Sequence, residues 1–487
     1  MWWVRYKQNA VVIPLVVSLI SGISAAVQAQ DSAQLRDSIA LPPIQSPSHL
    51  TLIGAIELSR RNYPSIRMAG LQAAAAREGI TQAKTAFLPH IDLLLDENYG
   101  TSNNITGFLA PQNIVPNISG QANNKNDFQG GFGFTTGGLV SWQPFDFGLR
   151  KAQVNVAQSS TKQAQTRIAL SELQAMSQSA ESFLSVLAAQ QVLKAAQAKV
   201  DRLKVFLDTV HVLAQKQIKP ATDEFLAQAE MVQAQDEEIA AEQNNKVALA
   251  ALWRWTGIQG ENVDIDAGLL IKQVPENHFT VADPYLHPQA LVQQAAIDLV
   301  RAQKHALERS YVPQFYLRLP VYARGSSFQP DLSLNFHEGY YPTKFNYAIS
   351  ALVLFQAMDI FTLKAQRRQA EKNELVQRAQ LDEIVLNLKQ QDAQSRAIIE
   401  GATRIANNAP LKVRAAQEAA QSATVRYQHQ LASVNDVAQT QQLLTKAQVD
   451  YATAQLQVWR AYLASALARG DMKPFIDQVS QASLERK

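Results

Sequence analysis

The chain has 487 residues, 47% apolar and 18% charged, with a net charge of +3 and no cysteine. That apolar share excludes disorder as the overall state, and the lack of cysteine excludes disulfides, thiolate metal sites, a cysteine nucleophile and lipidation on cysteine. The small net charge gives no footprint for a nucleic-acid partner, and only the N-terminus approaches the roughly 18 apolar residues of a helical membrane span.

Residues 1–29 carry Arg5 and Lys7, an apolar run from Ala10 to Ile20, and Val27-Gln28-Ala29. A basic start, an apolar stretch and a small-residue site predict a secretory signal peptide cut after Ala29. Residues 30–51, with Pro42, Pro43 and Pro47, predict an extended arm.

The remainder is duplicated. Pro64 and Pro89 stand 25 residues apart, as do Pro288 and Pro313, at an offset of 224. Later landmarks share an offset of 213: Asp146 with Asp359, Gln217 with Gln430, Asp223 with Asp436, and Gly257 with Gly470. Each copy reads as a helix, two alternating segments, a very long helix, a turn and a second helix. The predicted division is a first repeat over 52–258, a connecting segment over 259–283, a second repeat over 284–470 and a tail over 471–487.

The alternating segments predict strands at about 90–99, 128–143, 314–322 and 345–356. In the first, Ile91, Leu93 and Leu95 alternate with Asp92, Leu94 and Asp96. Residues 100–127, rich in Asn, Gly and Ser, predict a long polar loop. One apolar face, aromatic ends and long polar loops are the pattern of an outer-membrane barrel. Such barrels start at about eight strands, and open edges in lipid are prohibitive, so four strands imply one barrel shared by several chains. Trp142, near a strand end, reads as a membrane-interface anchor.

From Asp146 to Asp223 no proline occurs before Pro220, and Asp359 to Asp436 is broken only by Gly401 and Pro410. An unbroken helix of that length would reach about 115 Å. Leu193, Ala196, Val200, Leu203, Leu207, Val210 and Ala214 step by alternating threes and fours, which predicts coiled-coil packing. Return helices are predicted over about 224–255 and 437–468, each ending before a glycine. Asp223 and Asp436 suit helix N-caps as well as any functional role.

No His-x-x-x-His, Gly-x-Ser-x-Gly or nucleotide-binding loop occurs in the chain. Neither an enzyme nor a cofactor or metal is expected.

Together with this architecture, three local motifs resemble the outer membrane efflux protein family, the TolC-like channels. They are residues 52–64 ending in Asn-Tyr-Pro, Ala86-Phe87-Leu88-Pro89, and Trp142-Gln143-Pro144-Phe145-Asp146-Phe147-Gly148. The resemblance implies a mainly α fold with a membrane β-barrel. Each chain would add four strands to a shared 12-stranded barrel, continued by a long α-helical coiled-coil barrel. It implies a homotrimer in Gram-negative outer-membrane lipid, working with a periplasmic adaptor and an inner-membrane transporter as a passive exit duct. Drug efflux is the favoured cargo class, with type I protein secretion or metal efflux as alternatives. A periplasmic coiled-coil scaffold is the alternative of another class.

The resemblance also assigns residues. Gln217-Ile218 and Gln430-Leu431 match the helix-hairpin tips that meet adaptor or pump. Asp436 matches an aperture aspartate, Tyr427 a gate tyrosine, and Thr222-Asp223 its hydrogen-bonding partners. Ala432 stands where the family has a gate arginine, Gln439 where it has a second acidic ring, and both tip glutamines where glycine is usual. The last departure predicts a changed turn geometry.

Overall fold

The computed structural model describes residues 48–101, 128–258, 263–271, 275, 283–329, 331 and 333–484. The expected signal peptide, nearly all of the arm, most of the 100–127 loop and of the connecting segment, and the end of the tail lie outside them.

In chain order the first elements are β1 (His49–Leu50), α1 (Leu52–Asn62), α2 (Pro64–Thr85), β2 (His90–Gly100) and β3 (Gly131–Trp142). Then come α3 (Leu149–Gln215), α4 (Ala221–Thr256), β4 (Asp264–Ile265), α5 (Pro288–Glu308) and β5 (Gln314–Ser326). A short α6 (Phe336–Gly339), β6 (Lys344–Tyr347) and β7 (Ser350–Leu354) lead into α7 (Asp359–Gln428), α8 (Val434–Arg469) and α9 (Lys473–Leu484). The chain divides into two compact units, 1–50 with 257–266, and 51–256 with 267–487. In the smaller unit β1 pairs in parallel with β4, and His49 Nδ1 lies 3.1 Å from Asp264 Oδ2.

The larger unit repeats its own construction. Pro64 and Pro288 each open a helix at its first turn, where a missing amide hydrogen costs nothing. Pro89 and Pro313 each stand just before a strand. The long helices α3 and α7 have 67 and 70 residues, and α4 and α8 have 36 each.

Two helix expectations need correction. The first long helix does not begin at Asp146, because Phe147 and Gly148 take positive φ values of 50° and 89° and turn the corner first. Nor do Gly401 and Pro410 interrupt the second. Both lie on the exposed side of α7, while a buried row of Ala402, Ala406, Ala409 and Ala416 holds the helix through them.

The sheet order is β2-β3-β5-β6, with β7 also on β5, and every pairing is antiparallel. β6 and β7 are one strand position rather than the continuous 345–356 strand expected. The break at Ala348 and Ile349 faces Pro320. Ala348 N donates to Pro320 O at 3.1 Å, but proline has no amide hydrogen to return.

Register sorts the two faces. Ile91, Val140 and Leu319 align across three strands, and Leu93, Gly138, Val321 and Tyr347 across four. This row is apolar and open: Leu93 is 81% exposed, and Ile91, Val321 and Tyr347 are also exposed. The other face aligns Asp96, Thr135, Arg324 and Lys344. A sheet in water would bury the apolar row. An exposed apolar row backed by a polar one suits a hydrocarbon exterior and a wet interior. Among the described residues no helix is long and apolar enough to cross a membrane.

Small residues let the helices pack closely. Ser59 Oγ donates to Ala175 O at 3.0 Å and Ser179 Oγ to Ala55 O at 2.9 Å, stitching α1 to α3. Ala290 and Ile297 of α5 pack on Leu381, Val385 and Leu388 of α7. Ala416 and Ala420 of α7 meet Leu444 and Ala447 of α8.

Candidate aperture at the helix-hairpin turns

The α3–α4 and α7–α8 turns come together around one apolar cluster. Leu203, Phe206 and Val210 of α3 pack with Ala227 and Ala234 of α4, Ala423 and Tyr427 of α7, and Val434 and Val437 of α8. Leu203 and Val210 belong to the heptad seam, and Val200 and Leu207 flank the cluster.

Both turns close in the same way. Gln217 N donates to Ala214 O at 2.9 Å, and Ile218 N to Leu213 O at 2.9 Å. Gln430 N donates to Tyr427 O at 3.0 Å, and Leu431 N to Arg426 O at 2.8 Å. This is the paired-bond helix terminus that calls for a left-handed residue. Gln217 and Gln430 supply it, with φ of 59° and 65°. The changed geometry expected from replacing glycine is therefore not observed. The backbone keeps the left-handed turn and the side chain bears the strain. Ile218 and Leu431 are exposed at the tips.

Tyr427 is fully buried, and its hydroxyl donates to Asp223 Oδ2 at 3.1 Å. Phe206 meets its ring edge-on at 5.2 Å between centroids, and Lys219 Nζ sits 4.5 Å above it. Burial pushes the phenol well above its ordinary pKa, and the Asp223 carboxylate adds to the rise. Thr222 lies exposed in the first turn of α4, and the bond to Tyr427 comes from Asp223 alone.

Asp436 is not the N-cap of its helix. Ser433 is the cap, and the two residues form a capping box. Ser433 N donates to Asp436 Oδ2 at 2.8 Å, Ser433 Oγ to the same oxygen at 2.9 Å, and Asp436 N to Ser433 Oγ at 3.2 Å. Those bonds hold the exposed carboxyl below its ordinary pKa. Capping and an exposed negative charge coexist in this residue. Ala432 is half-buried against the apolar cluster, and Gln439 is exposed.

At the other end of α3, Trp142 Nε1 donates to Phe87 O at 3.1 Å, tying the end of β3 to the turn before β2. Beside it Arg150 Nε donates to Asp146 Oδ2 at 2.8 Å, and Arg150 Nη1 to Ala86 O at 3.0 Å. Arg150 Nη2 donates to Gln143 O, and the guanidinium lies 4.9 Å from the Phe87 ring centroid.

Residues 55–258 match the profile described as outer membrane efflux protein. An outer membrane efflux protein domain therefore spans nearly all of the first repeat. No curated protein matches it by sequence. Among solved structures, CusC superposes with a TM-score of 0.70 at 13% identity, covering 88% of this chain and 99% of that one. The CmeC outer membrane channel of Campylobacter jejuni gives 0.66 at 14% identity, covering 91% and 95%. VceC of Vibrio cholerae gives 0.64 at 16% identity, covering 86% and 96%. The fold is that of the TolC-like channels, and family members are channels rather than enzymes.

Sequence reasoning missed several polar links in this TolC-like fold. Lys199, only 3% exposed, joins Glu237 of α4 at 2.7 Å and Gln442 of α8 at 2.5 Å. Arg202 bonds Gln441 at 2.8 Å and Thr445 at 3.0 Å. Glu374 takes Arg301 and Lys304 of α5, each at 2.9 Å, and Arg378 of its own helix at 2.6 Å. Only the pairs four residues apart, Asp146 with Arg150 and Glu374 with Arg378, left a local trace in the sequence. Among the described residues no cluster could hold a metal ion.

Proposed function

We propose that this chain is the outer-membrane exit duct of a tripartite efflux system, assembled as a homotrimer. The observation that carries the proposal is the sheet. It has four strand positions, an exposed apolar row, a polar opposite face, and outer edges on β2 and on β6 and β7 without partners among the described residues. Lipid does not tolerate open edges, so other copies must close it. Three copies supply twelve strand positions.

The helices then continue as a tunnel into the periplasm. The turns around Gln217-Ile218 and Gln430-Leu431 meet an adaptor or an inner-membrane transporter, which supplies the energy. Asp223, Tyr427 and Asp436 form the aperture, and three Asp436 carboxylates make a ring that favours cations over anions. Small-molecule or drug efflux is the cargo class. Trp142 marks the membrane interface.

The test is fractionation with semi-native electrophoresis. A heat-labile trimer in the outer-membrane fraction is expected. A monomer in the soluble periplasmic fraction contradicts the proposal.

A further inference from the structure

The two repeats treat one corner differently. In the first, Arg150 fills the corner between α2, β3 and α3, held by Asp146, by the carbonyls of Ala86 and Gln143, and over the Phe87 ring. The offsets of 224 and 213 carry these partners onto Ser310, Tyr311, Gln356 and Asp359. Arg150 itself falls on Leu363. Those five residues line a cavity of about 310 Å³ at the base of the second hairpin.

The cavity has a local cause. The second repeat lacks the left-handed Phe147-Gly148 corner, and α7 starts directly at Asp359. Leucine cannot reach carbonyls as arginine does. The surrounding frame is still built: Tyr311 Oη donates to Ala357 O at 3.1 Å, and its ring lies 5.1 Å from that of Phe355. The ring contact parallels the link between Trp142 and Phe87, since Phe355 and Tyr311 stand at the matching positions. Among the described residues no cation pairs with Asp359, which is exposed. The same positions therefore hold a guanidinium in one repeat and open space in the other.

We propose that this cavity binds a guanidinium-type cation from outside the protomer, in the place Arg150 fills in the first repeat. Asp359 supplies the charge, the carbonyls of Ser310 and Gln356 the acceptors, and Tyr311 the aromatic wall. The cation is either a free organic guanidinium or an arginine side chain of a second copy of this chain.

The test uses the full-length protein in detergent, titrated with N-ethylguanidinium chloride against tetramethylammonium chloride as the ionic control. A free-ligand site gives saturable binding of the guanidinium only, weakened about tenfold or more in Asp359→Asn by loss of a charge-assisted bond. Leu363→Arg, which refills the corner from within, abolishes it. A site already filled by a neighbouring copy gives no titration, and Asp359→Asn then lowers the temperature at which the oligomer dissociates. Equal binding to wild type and Asp359→Asn overturns the proposal. So does absence of binding together with an unchanged dissociation temperature. Should Leu363→Arg not fold, the exposed Asp359→Asn change decides the matter alone.

Discussion

The buried Tyr427 hydroxyl donates to Asp223 Oδ2 at 3.1 Å and so joins the last turn of α7 to the first turn of α4, 204 residues away in sequence. It is the polar link at the centre of an otherwise apolar cluster. Tyr427→Phe keeps the ring and removes the link, leaving a carboxylate without its donor. Hydrogen bonds to charged groups contribute about 1.5–3 kcal/mol, so thermal unfolding should move downward. On the proposed function, channel conductance in a planar bilayer should rise as the two hairpins part.

Gln217 and Gln430 hold left-handed backbone that glycine adopts freely. Gln217→Gly and Gln430→Gly should each stabilise the protein by about 1 kcal/mol, read as a higher melting temperature. Gly470 gives the contrast. Its φ is 75°, and an added Cβ would meet Pro288 Cδ at 2.5 Å, so Gly470→Ala should destabilise.

Two groups set the response to acid. Glu374 is held at about 2 by its bonds from Lys304 and Arg301, with Arg378 adding to them. A carboxyl depressed on folding contributes stability that is complete above about 4.5 and is lost as pH falls from there towards about 2. Glu374→Gln should flatten the melting temperature across that window. His287 is lowered by burial. Its Nε2 donates to Leu467 O and its Nδ1 accepts from Gln289 N, each at 3.0 Å, so the neutral ring is the one that fits. Folding favours the unprotonated form, so this contribution is complete above about 6.5 and is lost as pH falls below it. His287→Asn should remove that upper acid limb.

Leu93 and Leu317 lie on the exposed apolar face of β2 and β5. Arginine at a lipid-facing strand position costs about 2–4 kcal/mol near the bilayer middle. Leu93→Arg and Leu317→Arg should therefore lower the yield of heat-labile trimer in the outer-membrane fraction. Wild-type yield of both would fit a scaffold in water instead.

The proline pairs, the heptad seam and the period-two segments were legible because each is a local pattern that one element's geometry imposes. So was the shared register of Gln217 with Gln430, which the structure turns into matching left-handed residues. The hydrogen bond from Tyr427 to Asp223 came only through family resemblance, since residues 204 apart carry no periodic signal. Lys199, Arg202 and Glu374 were hidden for the same reason. Apart from Arg378, four residues from Glu374, their partners lie on other helices, and in the sequence they look like any solvated charge. The capping box was missed because aspartate alone suggested the cap, whereas Ser433, three residues earlier, takes that role. The gap in the last strand was missed because Pro320, its cause, lies on the neighbouring strand.

Single-channel recording of the purified protein in a planar bilayer, with wild type, Tyr427→Phe and Asp436→Asn compared, tests the duct most directly. The account predicts discrete cation-preferring openings, larger conductance in Tyr427→Phe and weaker cation preference in Asp436→Asn. A protein that inserts but conducts in none of the three forms would contradict it.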